Sequence, residues 1–280
     1  MSRRSPPVTD MTQVPPQITV LVPVRNGERF VEEAVRSALQ QSFRDLRVLV
    51  SDNQSTDGTA AVLARIAGDT RLSVIRQPAM LPMLRHFNDC LSRVSTEYFL
   101  LLCHDDYLAS PDALAAAHKA LASHPEVNAV YCDLLYVDAA GKAIATRRFA
   151  RDGKFDARDT VRASILAARN LFGIPLLVRT RAVRGLAYDE TLPYTADVDL
   201  SAAAAAGGAL FHLPQPLIAN RYHPQNATWG VVAGVSDQMQ LIARKHGLPL
   251  SALDRARLGI NAYRMAATKL LLRAYLSLRR

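Results

Sequence analysis

Residues 18–50, ITVLVPVRNGERFVEEAVRSALQQSFRDLRVLV, decide the fold. Ile18–Val22 and Leu46–Val50 are short β-branched or leucine runs of the kind that make buried strands. Between them, in ERFVEEAVRSALQQS, Phe30, Val31, Ala34, Val35, Ala38 and Leu39 recur at helical spacing. The segment is a strand, a helix and a second strand. The pattern continues with a helix over Thr59–Ala67, a strand over Leu72–Ile75, a helix over Met83–Val94 and a strand over Tyr98–Cys103. Such alternation predicts an α/β protein whose sheet is mostly parallel and flanked by helices, with right-handed crossovers. Ligands of such sheets gather outside the carboxyl ends of the strands, so the loops that follow strands carry the functional information.

Three of those loops are rich in chemistry. The first strand leads into Pro23-Val24-Arg25-Asn26-Gly27, whose residue types fit a sharp strand-to-helix bend. The second leads into SDNQSTDGT, where Asp57-Gly58-Thr59 has the composition of a turn and helix start. Asp52 sits before that turn, at the strand end, where a carboxylate can accept hydrogen bonds from a base or a ribose. The fourth strand, in YFLLLCHDDY, stops on the adjacent carboxylates Asp105 and Asp106. Turn chemistry alone would accommodate one Asp-Asp pair. Two like charges at the end of a core strand otherwise need a cation or water, and oxygen-rich clusters suit Mg²⁺ or Mn²⁺. Neither G-x-G-x-x-G nor G-x-x-x-x-G-K-[ST] occurs, which removes the dinucleotide and P-loop readings.

Composition narrows the class. The chain has 280 residues, 49% of them apolar, enough for one large catalytic domain with appendages. A formal net charge of +9 favours anionic partners, but aromatic side chains do not interleave with the basic ones, so nucleic acid is not indicated. Cys90, Cys103 and Cys132 form no C-x-x-C pair and suggest neither a disulfide framework nor a zinc site, which points to a cytoplasmic location. The first residues are proline-rich without an apolar core, and no run approaches a membrane span.

Taken together, VPVRNGERFVEEAVRSALQQSFRDLRVLVSDNQSTDGT followed by EYFLLLCHDDYLASPDAL resembles the nucleotide-sugar half of the family 2 inverting glycosyltransferases, with their GT-A fold, over about residues 17–125. The resemblance implies a nucleotide-diphosphate sugar donor, UDP- or dTDP-linked, with Pro23, Val24, Arg25, Asn26 and Asp52 holding base and ribose. Arg85 and Asn88, in LRHFNDCL, fall where the family often has ARN, and are expected to face the donor; Phe87 departs from that pattern. The family's Asp-x-Asp metal motif is here CHDD, which leaves Asp105 and Asp106 to serve a divalent cation, Mn²⁺ or Mg²⁺, and the sugar or ribose between them.

The second half should hold the acceptor. YDETLPYTADVDLSAAAAAGG resembles the family's segment that supplies the catalytic base, with Ala196 in place of the usual Glu and Asp197 retained. An inverting single displacement needs one carboxylate to take the acceptor proton, and Asp197 fits that role. Asp199, two positions on, is expected to be a helix-start charge on another side. LFHLPQPLIANRYHPQNAT reads as strand, turn, strand and loop, similar to the family's R-x-H-P segment, with His223 expected as a metal ligand or a diphosphate contact and Arg221 as a phosphate partner. Trp229 suits either stacking on a sugar ring or a place as a partly buried anchor. The Q-x-x-R-W motif of processive synthases is missing, which points to transfer of one sugar per acceptor.

The expected organisation is a Pro-rich tail over 1–16, a GT-A domain over 17–230 divided at 125/126 into donor and acceptor halves, and a C-terminal helical extension over 231–280. The basic, leucine-rich pattern of that extension suits packing on the catalytic domain or on a second copy as a homodimer, or lying on an anionic membrane surface, which would match a lipid-linked acceptor. A saccharide acceptor is the alternative. Two other functions share the same residues: a sugar nucleotidyltransferase, whose glycine- and arginine-rich loop is lacking, and an inactive nucleotide-sugar binding protein that keeps the carboxylates as relics.

Overall fold

The structure is a computed structural model and describes residues 16–149, 152–226 and 234–278. The strands in chain order are β1 (Ile18–Val24), β2 (Leu46–Asp52), β3 (Leu72–Arg76), β4 (Tyr98–Leu101), β5 (Tyr107–Leu108), β6 (Val127–Val137), β7 (Ala143–Arg147), β8 (Gly153–Phe155), β9 (Pro175–Arg179) and β10 (Ala209–Arg221). The helices are α1 (Val31–Leu39), α2 (Thr59–Ile66), α3 (Met83–Ser92), α4 (Ala113–Ser123), α5 (Ala157–Ala167), α6 (Thr180–Val183), α7 (Ala196–Ala205), α8 (Val235–Lys245) and α9 (Ala252–Leu278). The helix and strand starts of the first hundred residues fall where the apolar spacing puts them.

All ten strands join one sheet in the order β3-β2-β1-β4-β9-β6-β10-β5, with β7 on β6 and β8 on β10. The first four run parallel, as βαβ crossovers require. From β4 onward the sheet becomes mixed, because β9 is antiparallel to both β4 and β6. The two-residue β5 is antiparallel to β10, and that pairing brings the chain just after the Asp105-Asp106 turn against the end of β10.

Period-two alternation sorts each strand between two cores. Ile18, Val20, Val22 and Val24 of β1 pack with Val31, Val35, Leu63 and Leu114 of α1, α2 and α4 on one face. Leu21 points to the other face, with Leu84, Val161, Val198 and Met239 of α3, α5, α7 and α8. Burying each Val or Leu completely is worth about 1.5–3 kcal/mol. The segment from 235 onward is not detached from this architecture, since Met239, Ile242 and Leu258 are fully buried in the second core. Asn261 of α9 adds a hydrogen bond from Nδ2 to the Leu166 carbonyl, 2.8 Å away.

One expectation is corrected. LFHLPQPLIANR is a single strand, not strand, turn and strand; Pro214 and Pro216 produce register shifts against β6 instead of a reversal. Most of the expected Pro-rich tail, and Trp229, lie outside the described residues. Among the described residues no helix is long and apolar enough to cross a membrane.

Candidate active site

The carboxyl ends of β1, β2 and β4 open onto a cavity of about 2150 Å³ that runs across the sheet to α7 and α9. At its β1 end, Asn26 adopts a left-handed backbone, φ 51°, which Asn tolerates better than most residues. Its Oδ1 accepts from the Thr56 amide at 2.8 Å, and its own amide donates to Ser55 Oγ at 2.9 Å. The Gly27 amide donates to Thr59 Oγ1 at 2.8 Å, and the Glu28 amide to Asp57 at 3.1 Å. The loops after β1 and β2 are thus one hydrogen-bonded unit. Gly27 is required by space: a Cβ there would stand 2.5 Å from Val24 Cγ2 and 2.6 Å from His104 Cδ2.

Pro23, Val24, Arg25 and Asn26 all line the cavity. Asp52 lies beneath it, buried, with Oδ1 accepting from the Ser55 amide at 2.9 Å and Oδ2 paired with Arg76 at 2.7 Å. Its neighbour Asn53 is the side chain at the surface of the cavity. Arg85 and Asn88 are not brought there. The Arg85 fork is engaged by Glu190, Nη2 to Oε2 3.1 Å, at the exterior. Asn88 clamps the Tyr188 backbone, donating to its carbonyl at 2.9 Å and accepting from its amide at 2.8 Å.

The carboxylate pair is built by the turn after β4, closed by the Asp106 amide donating to the Cys103 carbonyl at 3.0 Å. Its two members point to different surroundings. Asp106 turns inward: Asn220 Nδ2 donates to its oxygens at 3.1 and 3.0 Å, and the Arg221 amide donates at 2.9 Å. Burial first, then the neighbouring Asp105 charge, push Asp106 well above the ordinary carboxylate range. Asp105 Oδ2 meets His223 Nε2 and Asn226 Nδ2, each at 3.0 Å. Burial opposes its ionisation, but the His223 hydrogen bond and the His104 and His223 charges outweigh it and hold the carboxyl below its usual value. Asn226 also donates to the Arg221 carbonyl and accepts from the His223 amide, so it fixes the loop that carries His223.

Arg221 is committed elsewhere than to an open phosphate position. It is buried, donates to the Asp105 carbonyl at 3.0 Å and to the carbonyls of Asp138 and Ala139, and pairs with Glu33. It braces the turn from behind. Cys103, Asp105 and Asp106 present ligand atoms within 4.8 Å of one another. Burial pushes the Cys103 thiol well up, which leaves it protonated and a poor ligand for a hard cation. The oxygen and imidazole donors that face the cavity, Asp105 and His223, are chemically suited to Mn²⁺ or Mg²⁺.

Across the cavity, Asp197 is the second residue of α7 and opens into the same space. Asn170 Nδ2 donates to its Oδ2 at 2.5 Å, and the Val198 amide donates to Oδ1 at 2.9 Å. Asn170 is itself held, accepting from the Phe172 and Gly173 amides at 2.7 and 3.1 Å. The surrounding walls desolvate Asp197 and raise its proton affinity above that of an ordinary Asp, against these hydrogen bonds. Such a carboxylate can accept a proton from a bound hydroxyl. Asp199 faces away, as its helical position predicts, and pairs with Lys245 at 2.6 Å and His246 at 2.9 Å.

Residues that the motifs did not single out complete the site. Asn170, Asn220 and Asn226 each hold a carboxylate, and Arg264 and Lys269 of α9 line the cavity. Asn226 was within reach of a sequence reading, being three positions past His223 in HPQN; the others are remote in sequence and leave no local signal.

Comparison with known proteins identifies the family and the fold. The model of the family described as glycosyl transferase family 2 matches residues 19–165. The chain is 27% identical over 128 residues to the putative glycosyltransferase EpsE of Bacillus subtilis, spanning 45% of this chain and 46% of that protein. It is 32% identical over 97 residues to a Campylobacter jejuni GalNAc(5)-diNAcBac-PP-undecaprenol beta-1,3-glucosyltransferase, 34% of this chain and 31% of that one. The chain therefore spans about half or less of the length of these relatives. Among solved structures, S. aureus TarS 1-349 in complex with UDP-GlcNAc superposes with a TM-score of 0.68 at 18% identity, over 86% of this chain and 70% of that one. The mannosyltransferase PcManGT of Pyrobaculum calidifontis, in complex with GDP-Man and Mn2+, gives 0.58 at 18% identity, over 94% and 85%. These likenesses establish the GT-A fold.

Proposed function

This chain belongs to glycosyl transferase family 2 and is a glycosyltransferase, and we propose that it moves a single sugar, with inversion, from a nucleotide-diphosphate donor to a saccharide or lipid-linked hydroxyl. The observation that carries the proposal is that one cavity joins the Pro23–Asn26 loop, the Asp105–His223 pair and Asp197. The base and ribose lie against Pro23–Asn26 and Asn53, over Asp52. A UDP- or dTDP-sugar is the donor favoured by the motif; the UDP-GlcNAc and GDP-Man bound by the two structural neighbours support a sugar nucleotide in general. The lipid-linked alternative for the acceptor draws support from the name of the Campylobacter relative.

Asp105 and His223 would hold the divalent cation, which would neutralise the charge of the departing diphosphate. The Mn2+ bound by PcManGT supports a divalent cation in general. Asp106 keeps the turn in place through Asn220 and the Arg221 amide. Asp197 takes the proton from the acceptor hydroxyl as its oxygen bonds to the anomeric carbon. The bond from that carbon to the diphosphate oxygen breaks, and its electron pair leaves with the diphosphate. Attack from the face opposite the leaving group inverts the anomeric centre. Asn170 fixes the carboxylate that receives the proton.

The test is a screen of UDP-, dTDP- and GDP-sugars with Mn²⁺ and mixed saccharide and polyprenyl-linked acceptors, reading nucleoside diphosphate release that depends on acceptor. Release by the wild type and not by Asp197→Asn supports the proposal. Release that survives the substitution removes Asp197 from the role of base.

A further inference from the structure

The charge lining the cavity is divided along its length. Its carboxylates Glu28, Asp57, Asp105 and Asp106 all come from the first half of the chain. Among the described later residues, Asp197 is the single lining carboxylate, and besides Arg221, which pairs with Glu33, the lining cations are Arg147, Arg148, Arg169, Arg264 and Lys269. These cations come from three separate segments: the end of β7 with the residue after it, the loop after α5, and α9. Arg147 is engaged, donating to the Asn170 carbonyl at 2.7 Å. Lys269 Nζ sits 4.2 Å from the centre of the Tyr194 ring, and burial lowers it to about 8 although Asp197 favours its charged form. Arg148, Arg169 and Arg264 are exposed to solvent where they line the cavity. Five cations against one carboxylate make this side of the cavity positive, which favours an anionic group on the molecule bound there.

We propose that the acceptor carries a phosphate group, held by Arg169, Arg264 and Lys269 beside Asp197, so that this side of the cavity recognises a phosphorylated acceptor and not a neutral sugar. The proposal rests on the reading of Asp197 as the acceptor's base. It also gives α9 a role: the helix supplies two of the three cations, Arg264 and Lys269, to the acceptor position. The phosphate has two sources, a phosphorylated saccharide in solution or a phosphate headgroup at a lipid surface, and both present the same anion to these side chains.

The test uses the full chain with UDP and Mn²⁺ saturating, so that the donor's own phosphate position is filled. Calorimetric titration with glucose 6-phosphate against glucose reads the soluble source. Sedimentation with phosphatidylcholine vesicles, with and without phosphatidic acid, reads the lipid source. The expected result is that one phosphate-bearing probe binds and its neutral counterpart does not. Binding should weaken with salt, and R169Q/R264Q should reduce it at least about tenfold, about 1.4 kcal/mol. R36Q/R65Q, which removes the same charge from the α1 and α2 surface, should leave it unchanged. Neutral and phosphorylated probes binding alike, neither phosphate probe binding, or R169Q/R264Q binding as well as the wild type would each overturn the proposal. UDP binding, followed in every variant, separates the two readings: a wild type that binds no UDP counts against the transferase site, whereas UDP bound with neither phosphate probe counts against this proposal alone.

Discussion

His223 Nε2 lies 3.0 Å from Asp105 Oδ2, although the two residues are 118 positions apart in the chain. The contact ties the loop that follows β10 to the turn that follows β4, and joins the two halves of the molecule at the position proposed for the cation. Replacing either partner should separate metal dependence from folding. Asp105→Asn should lower kcat/KM on the order of a hundredfold or more, about 2.7 kcal/mol, with unfolding little changed. His223→Ala should cost about 10- to 100-fold and raise the Mn²⁺ concentration needed for half-maximal activity. Initial rates over a Mn²⁺ series check both.

Asp197 should set the acid limb of the pH–rate profile. Its carboxyl is raised by desolvation, and a base works only when deprotonated, so activity should rise with pH through a value above that of an ordinary Asp, about 3.9. Asn170→Ala removes a hydrogen bond that favours the charged form, so the limb should move to still higher pH. Asp197→Asn should lower kcat by about 10²–10⁴-fold, with UDP affinity unchanged. A limb that stays in place in Asn170→Ala would place the titrating group elsewhere.

Asp199 should matter for stability and not for chemistry. Burial disfavours its charge, yet the hydrogen bonds from His246 and Lys245 overcome that and hold the carboxyl below its ordinary value. A depressed carboxylate stabilises the fold above its unfolded value, about 3.9, and the contribution disappears as pH falls through the folded value. Asp199→Asn should therefore destabilise the protein by about 1–3 kcal/mol near neutrality and flatten its loss of stability in acid. Urea unfolding between pH 7 and pH 3 measures this.

Gly27 should not tolerate a side chain. An alanine Cβ would meet Val24 and His104 at 2.5 and 2.6 Å, and both belong to the wall of the donor end. Gly27→Ala should cost about 1–3 kcal/mol by overpacking and weaken nucleotide binding as the loop shifts. Urea midpoints and UDP titration together show whether the two effects travel as one.

Local pattern made the first half of the molecule legible. Period-two and helical spacing between Ile18 and Cys103 locate four parallel strands because β1, β2 and β4 are largely buried on both faces, the edge strand β3 keeps its β-branched run, and each helix is buried on one face. Asp105 and Asp106 stood out as adjacent carboxylates at the end of a core strand, and Asp197 through the resemblance of its segment to the family's catalytic-base segment. What surrounds them was not legible. Asn170 reaches Asp197 and Asn220 reaches Asp106 through tertiary contacts between segments 27 and 114 positions apart, which no spacing rule anticipates. Arg221 looked like a phosphate ligand beside His223 and is a buried brace, because β10 continues through its prolines and turns the guanidinium toward Glu33 and the backbone. Arg85 and Asn88 sit on the helix the sequence predicted, yet on a face engaged by Glu190 and Tyr188.

The most direct test of the account is calorimetric titration of the full chain with UDP, dTDP and GDP, with and without Mn²⁺, beside Asp105→Ala. The account predicts that one nucleoside diphosphate binds, that Mn²⁺ tightens it, and that the substitution abolishes the tightening while leaving the fold intact. Binding that ignores both Mn²⁺ and Asp105, or no binding of any nucleoside diphosphate, would contradict it.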